Sequence, residues 1–156
     1  MSFVSSIIVV EDIARSRKLY KDILQLKVTA DFGVYNVGFE GGLSLYRRAF
    51  FQELIGGPVN LAKHNNVVLY FEVENLEAVE KEILANGFEF LHRIKEQPWQ
   101  QRNFRFYDYD GHVVEMAEHM GVVFGRLLAQ GNSLDAVSKL TGVPADQILP
   151  EIEKHK

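Results

Sequence analysis

The sequence predicts an α+β protein made of two tandem βαβββ modules followed by a C-terminal helical extension. Three observations carry that prediction. Strand and helix signals recur in the same order twice. The two helix-cap residues Asp12 and Asn75 lie 63 residues apart, and the late turn glycines Gly42 and Gly111 lie 69 apart, as a duplicated unit with a small insertion requires. After His119 the apolar period changes from two residues to about 3.6.

Each element has its own signal. Residues 3–10 read as a strand that ends at Glu11-Asp12, and Asp12 is a natural N-cap for a helix whose apolar face is Ile13, Tyr20, Ile23 and Leu24. Three short strands follow at 27–32, 34–39 and 43–46, punctuated by Gly33, Gly38 and Gly41-Gly42. The second module repeats this with a strand at 67–73, an Asn75-capped helix carrying Leu76, Val79, Ile83 and Leu84, and Gly87 as its stop. Strands at 88–94, 102–107 and 113–117 complete it. Residues 50–58 read as a long apolar connection between modules (about 3–47 and 67–118). The domain is therefore expected over residues 1–118, and the tail over 119–156. In the tail, Gly131 stops one helix, Ser133 caps a second that ends at Gly142, and Pro144 opens a third.

Composition narrows the function classes. The chain has 156 residues, 47% hydrophobic and 24% charged, with 17 basic and 21 acidic side chains for a net charge of −4. That is the profile of a folded domain rather than a disordered chain. The acidic balance argues against a nucleic-acid partner, which needs a basic footprint. No apolar run reaches the ~20 residues of a membrane helix, and no signal-peptide pattern opens the chain, so a cytoplasmic protein without membrane association is expected. With no cysteine, thiolate chemistry and disulfides are excluded.

Several strings then resemble the vicinal oxygen chelate superfamily, which includes glyoxalase I, bleomycin-resistance proteins, fosfomycin-modifying enzymes and ring-cleaving dioxygenases. They are Val9-Val10-Glu11-Asp12-Ile13 with Leu19-Tyr20, Phe71-Glu72-Val73-Glu74-Asn75-Leu76, Gln97-Pro98-Trp99, and Asp108-Tyr109-Asp110-Gly111-His112 with Glu115. The resemblance spans about residues 3–118. It implies a curved mixed sheet around a ligand cavity, a homodimer, and, in metal-using members, four ligands from four strand positions. Those positions fall here on Ser5, Tyr46, Val68 and Glu115. Glu115 is the only strong hard-metal ligand among them, so no metal cofactor is expected at these positions. A rearranged divalent-metal site using Glu115, Glu72 and a histidine (His119 or His92) is the alternative. His64 and His112 read as surface histidines.

Strand alternation places Ser5, Ile7 and Val9, then Val68, Tyr70 and Glu72, then Val113, Glu115 and Ala117 on the cavity side. Ser5, Tyr46, Tyr70, Glu72, Trp99, Arg105 and Glu115 are the expected ligand-binding residues. Glu115 has two readings: a polar anchor or general base for a ligand, or a carboxylate paired with Arg105, Arg102 or Arg48. Trp99, Phe50 and Phe51 serve either a pocket or plain packing. The leading expectation is a bleomycin-resistance-like protein that binds a small organic ligand, aromatic or cationic, without metal. The alternative is a metal-dependent lyase, isomerase or dioxygenase. A third reading makes the tail a protein-interaction module. Its helix–turn–helix order is not matched by charge: the last helix, residues 145–154, carries −2.

Overall fold

The computed structural model describes residues 2–63 and 65–155, so His64 lies outside the described residues. The chain runs β1 (Ser6–Val10), α1 (Ile13–Arg17), β2 (Val28–Asp31), β3 (Asn36–Phe39), β4 (Leu43–Arg47), α2 (Arg48–Ile55), β5 (Val68–Val73), α3 (Leu76–Ala85), β6 (Phe90–Glu96), β7 (Arg102–Tyr107) and β8 (Val113–Glu118). Three helices follow: α4 (Met120–Ala129), α5 (Leu134–Thr141) and α6 (Ala145–Glu153). The two sheets have the same order, β1-β4-β3-β2 and β5-β8-β7-β6. The duplication read from the sequence is therefore the architecture.

The caps work as their residue types require. The Asp12 carboxylate accepts the Arg15 N–H at 3.1 Å, and Asn75 Oδ1 accepts the Ala78 N–H at 2.9 Å. After Arg17 the first helix widens into a π-helical turn over Lys18–Ile23, where the Leu24 N–H reaches the Leu19 carbonyl at 2.9 Å.

The interval 50–58 departs from expectation. It begins inside a helix, α2, closed by Gly56 in the left-handed conformation (φ 68°). Arg47 stands at its N-cap position and makes no side-chain cap bond, so the usual start signal is missing.

The chain divides into two compact units. One comprises Met1–Val67 with Tyr107–Val113, the other Val68–Phe106 with Val114–Lys156. In the first, Ile8, Val10, Leu19, Tyr20, Val37 and Leu45 are buried between sheet and helix. Burial of each such side chain is worth about 1.5–3 kcal/mol. The Asp108–His112 turn belongs to this unit and is structural. Tyr20 Oη donates to Asp108 Oδ2 at 2.8 Å, Ser16 Oγ donates to Asp110 Oδ2 at 3.2 Å, and the Glu11 N–H donates to Asp110 Oδ1 at 3.0 Å. Gly111 (φ 88°) fits there because a Cβ would lie 3.0 Å from Lys63 Cγ and 3.2 Å from its Cα. His112 is not a free surface histidine: its Nδ1 lies 2.8 Å from Asp108 Oδ2. That bond comes from the tight turn, which folds residue 112 back over residue 108.

In the second unit Leu76, Ile83, Phe104, Phe106 and Met116 are buried. The tail folds with it. Val123, Phe124, Leu127, Val137 and Ile148 form a common core for α4, α5 and α6. Arg126 Nη2 reaches back to the Gln100 carbonyl at 2.8 Å and to Glu118 Oε2 at 3.2 Å.

Candidate functional site

In the first unit β1 and β4 run parallel with Ile7 opposite Ser44 and Val9 opposite Tyr46. Ile8, Val10 and Leu45 point into the core, so Ile7, Val9, Ser44 and Tyr46 share the other face. Ser5 joins that face: its Oγ lies 3.0 Å from Ser44 Oγ. Next to it is a cavity of about 340 Å³ lined by Phe32, Tyr35, Asn36, Tyr46 and Phe50. The rings support one another, edge to face in the Tyr35–Phe50 and Tyr46–Phe51 pairs and tilted in Tyr46–Phe50. Phe50 is 5.3 Å from Tyr35 and 5.8 Å from Tyr46, and Phe51 is 5.9 Å from Tyr46, centroid to centroid. Asn36 is fixed by donating to the Leu45 carbonyl at 3.0 Å. A larger groove of about 580 Å³ is lined by Glu11, Asp12, Arg17 and Arg47, among others. Ion pairs engage Glu11 (with Arg48, 2.7 Å) and Arg17 (with Asp31, 2.6 Å).

The equivalent face of the second unit is polar, and it carries two bonded chains. In the first, Glu115 is 6% exposed and accepts from Asn103 Nδ2 at 2.5 Å and from Arg105 Nε at 2.7 Å. Asn103 Oδ1 accepts from Gln97, and Arg105 Nη1 lies 3.0 Å from His92 Nε2. The second chain runs from Trp99 to Gln101 Oε1 (2.9 Å), from Gln101 Nε2 to Tyr70 Oη (2.8 Å), and from Tyr70 Oη to Glu72 Oε1 (2.9 Å). Glu72 Oε2 then meets His119 Nδ1 at 3.0 Å. Partial burial, with the phenol O–H donating a hydrogen bond to Glu72, pushes the Tyr70 pKa up to about 12. The phenol is a hydrogen-bond donor at neutral pH.

The residues at the four metal positions do not make the superfamily's metal site. Ser5 and Tyr46 offer neutral hydroxyls, and Val68 offers no donor. Glu115 has both oxygens engaged by Asn103 and Arg105. A cation placed at that carboxylate would face a guanidinium 2.7 Å away. Of the three arginines weighed for Glu115, Arg105 is its partner. Arg102 instead bonds Glu77 and Glu118, and Arg48 bonds Glu11.

The expected binding residues thus fall into three groups. Ser5 and Tyr46 lie on the first unit's open face. Tyr70, Glu72 and Trp99 are linked in the second unit through Gln101, and Arg105 is joined there to Glu115. Gln101 and Asn103, which tie these chains together, were missed. They share the parity of Arg105 on β7, so alternation applied to that strand would have found them.

A glyoxalase-like domain model matches residues 3–121. No curated protein matches the chain. Among solved structures, a protein of unknown function from Agrobacterium tumefaciens is 38% identical, with a TM-score of 0.68 over 76% of this chain and 94% of that one. A glyoxalase/bleomycin resistance protein/dioxygenase from Nocardioides is 20% identical (TM-score 0.60; 76% and 83% covered). A genomically encoded fosfomycin resistance protein from Listeria monocytogenes is 15% identical (TM-score 0.58; 76% and 93% covered). The repeated βαβββ architecture and the match over residues 3–121 together mean that the chain belongs to the glyoxalase-like family, within the vicinal oxygen chelate superfamily.

Proposed function

We propose that this protein binds a small aromatic organic molecule, neutral or cationic, in the Tyr46 pocket, without a metal at the superfamily's ligand positions. The observation that carries this reading is the lining of the 340 Å³ cavity: Phe32, Tyr35, Tyr46 and Phe50 supply ring faces, and Asn36 is its one amide. Such a pocket recovers the free energy of burying flat apolar surface and attracts a cation to its ring faces. It contains no general base and no metal donor. Ser5 and Ser44 supply hydroxyls on the adjoining face.

The alternative of a metal-dependent lyase, isomerase or dioxygenase with ligands gathered around Glu115 has less support. The side chains that meet Glu115 are an amide and a guanidinium, neither a metal donor in this arrangement. A homodimer is part of the proposal, because Ile7, Val68 and Tyr70 leave apolar surface on the open faces that a second copy would cover. The acidic last helix supports a role without nucleic acid. Among the described residues no helix is long and apolar enough to cross a membrane.

The test is a thermal-shift screen of planar aromatic and quaternary ammonium compounds against the wild type and Phe50→Ala. A class of compounds that raises Tm in the wild type and loses at least tenfold in affinity in F50A is the expected result. No shift across the panel, or shifts indifferent to F50A, would overturn the reading.

A further inference from the structure

We propose that Glu72, His119 and His155 form a binding site for one divalent first-row transition ion, distinct from the superfamily's metal positions and independent of the ligand pocket. A ligating atom from each of the three side chains lies within 4.8 Å of the other two. The site joins parts of the chain that are remote in sequence: Glu72 on β5, His119 between β8 and α4, and His155 just after α6. The glyoxalase-like match ends at residue 121, so the tail supplies the third donor.

The placement of His155 is built into the packing. Gly121, buried in the first turn of α4, lies against the end of α6. A Cβ there would come 2.7 Å from the Glu151 carbonyl oxygen and 2.8 Å from His155 Cδ2. Any larger residue at position 121 would push the end of α6 away, and only glycine lets the His155 ring stack on His119 at 4.2 Å. Two supporting carboxylate interactions resemble those that orient metal ligands elsewhere. Tyr70 Oη holds Glu72 Oε1 at 2.9 Å, leaving Oε2 toward His119, and Glu151 Oε1 lies 3.2 Å from His155 Nε2. With Nε2–H donated to Glu151, the lone pair of His155 Nδ1 is left for an ion.

The donor set defines the ion class. Two imidazoles and one carboxylate suit zinc, cobalt or nickel, while magnesium and calcium require mostly oxygen ligands. Without an ion His119 Nδ1 lies 3.0 Å from Glu72 Oε2, the distance of a hydrogen bond whose bridging hydrogen would come from the Nδ1–H tautomer. The ion takes that proton's place, and the proton leaves to solvent. Closure to the roughly 3.3 Å donor spacing of a tetrahedral ion requires only side-chain rotation, chiefly of exposed His155. Water completes the coordination. Bound in this way, the ion fastens α6 to the second sheet.

The experiment uses untagged, full-length protein stripped with chelator and dialysed, titrated with zinc chloride against a chromophoric chelator. One equivalent of zinc should bind and raise Tm, and magnesium should do neither. His155→Ala and Glu72→Gln should each weaken zinc at least tenfold, and Gly121→Ala should do so with every ligand still present. H155A alters an exposed residue near the chain end, so its circular dichroism should match the wild type. Glu115→Gln should leave zinc affinity unchanged. Failure to bind zinc, or equal binding by wild type and H155A, overturns the site. Zinc binding lost in E115Q and kept in H155A places the ion at the superfamily position, and overturns it as well.

Discussion

The two modules share a strand order and cap chemistry, yet corresponding positions on their open faces carry opposite chemistry. Tyr46 on β4 and Glu115 on β8 are related by the 69-residue offset of the repeat. Tyr46 sits among rings that make a cavity. Glu115 sits under an arginine and an asparagine that close over it. The duplicated backbone fixes which side chains share a face, because alternation and register follow from the sheet. What those side chains do depends on the residues that the neighbouring strand or helix brings to them. The same position lines an aromatic cavity in one module and lies in a buried ion pair in the other.

Breaking the ion pair should have the largest effect. Arg105→Met leaves Glu115 buried with no counter-charge, and we expect about 3–5 kcal/mol of lost stability by urea denaturation. The same measurement on Tyr46→Phe, at the other end of the comparison, should give a change below about 0.5 kcal/mol. Equal losses would show that the two faces are not built differently.

The Asp108–His112 bond gives the first unit a pH signature of intermediate size. Burial works against the Asp108 charge, yet the His112 bond and charge carry its carboxyl below the usual range. Burial likewise disfavours protonated His112, but Asp108 prevails and raises its pKa above the ordinary 6.5. The raised histidine stabilises the fold fully below 6.5, and that contribution is lost as pH rises through its folded value. The depressed Asp108 contributes above the usual aspartate range and is lost as pH falls through its own folded value. Stability should therefore decline on both sides of a mildly acidic optimum. His112→Asn should abolish the alkaline decline, and an unchanged profile would show that another group carries it.

The caps sharpen the comparison with a smaller effect than the ion pair. Asp12→Ala and Asn75→Ala should each cost about 1 kcal/mol in the urea midpoint analysis, because each removes one helix-terminal hydrogen bond. A loss confined to one of them would break the equivalence of the two modules at their best-matched position.

Much of the fold was legible because its signals are local. Alternation on β1 and β5 places Ile8, Val10, Phe71 and Val73 toward the helices, and Asp12, Asn75 and Ser133 cap helices in the way their side chains allow. Helix α2 was not legible because no capping side chain marks its start, and its Phe50-Phe51 pair reads equally as loop or helix. The site was legible in part. Strand parity put Tyr70, Glu72 and Glu115 on their faces, and the short list of arginines held the right partner for Glu115. The choice of Arg105 depends on the pairing of neighbouring strands, which no local pattern encodes. The approach of His155 to His119 depends on how α6 packs across Gly121, a tertiary contact between residues 34 positions apart.

The central claim is that recognition resides on the aromatic face and that the acid at the superfamily's metal position takes no part in it. The most direct measurement is the dissociation constant of one aromatic ligand from the screen in wild type, Tyr46→Ala and Glu115→Gln, at a temperature where all three are folded. The account predicts at least a tenfold loss in Y46A, about 1.4 kcal/mol or more, and a change of less than about threefold in E115Q. Binding that survives Y46A and collapses in E115Q would contradict it.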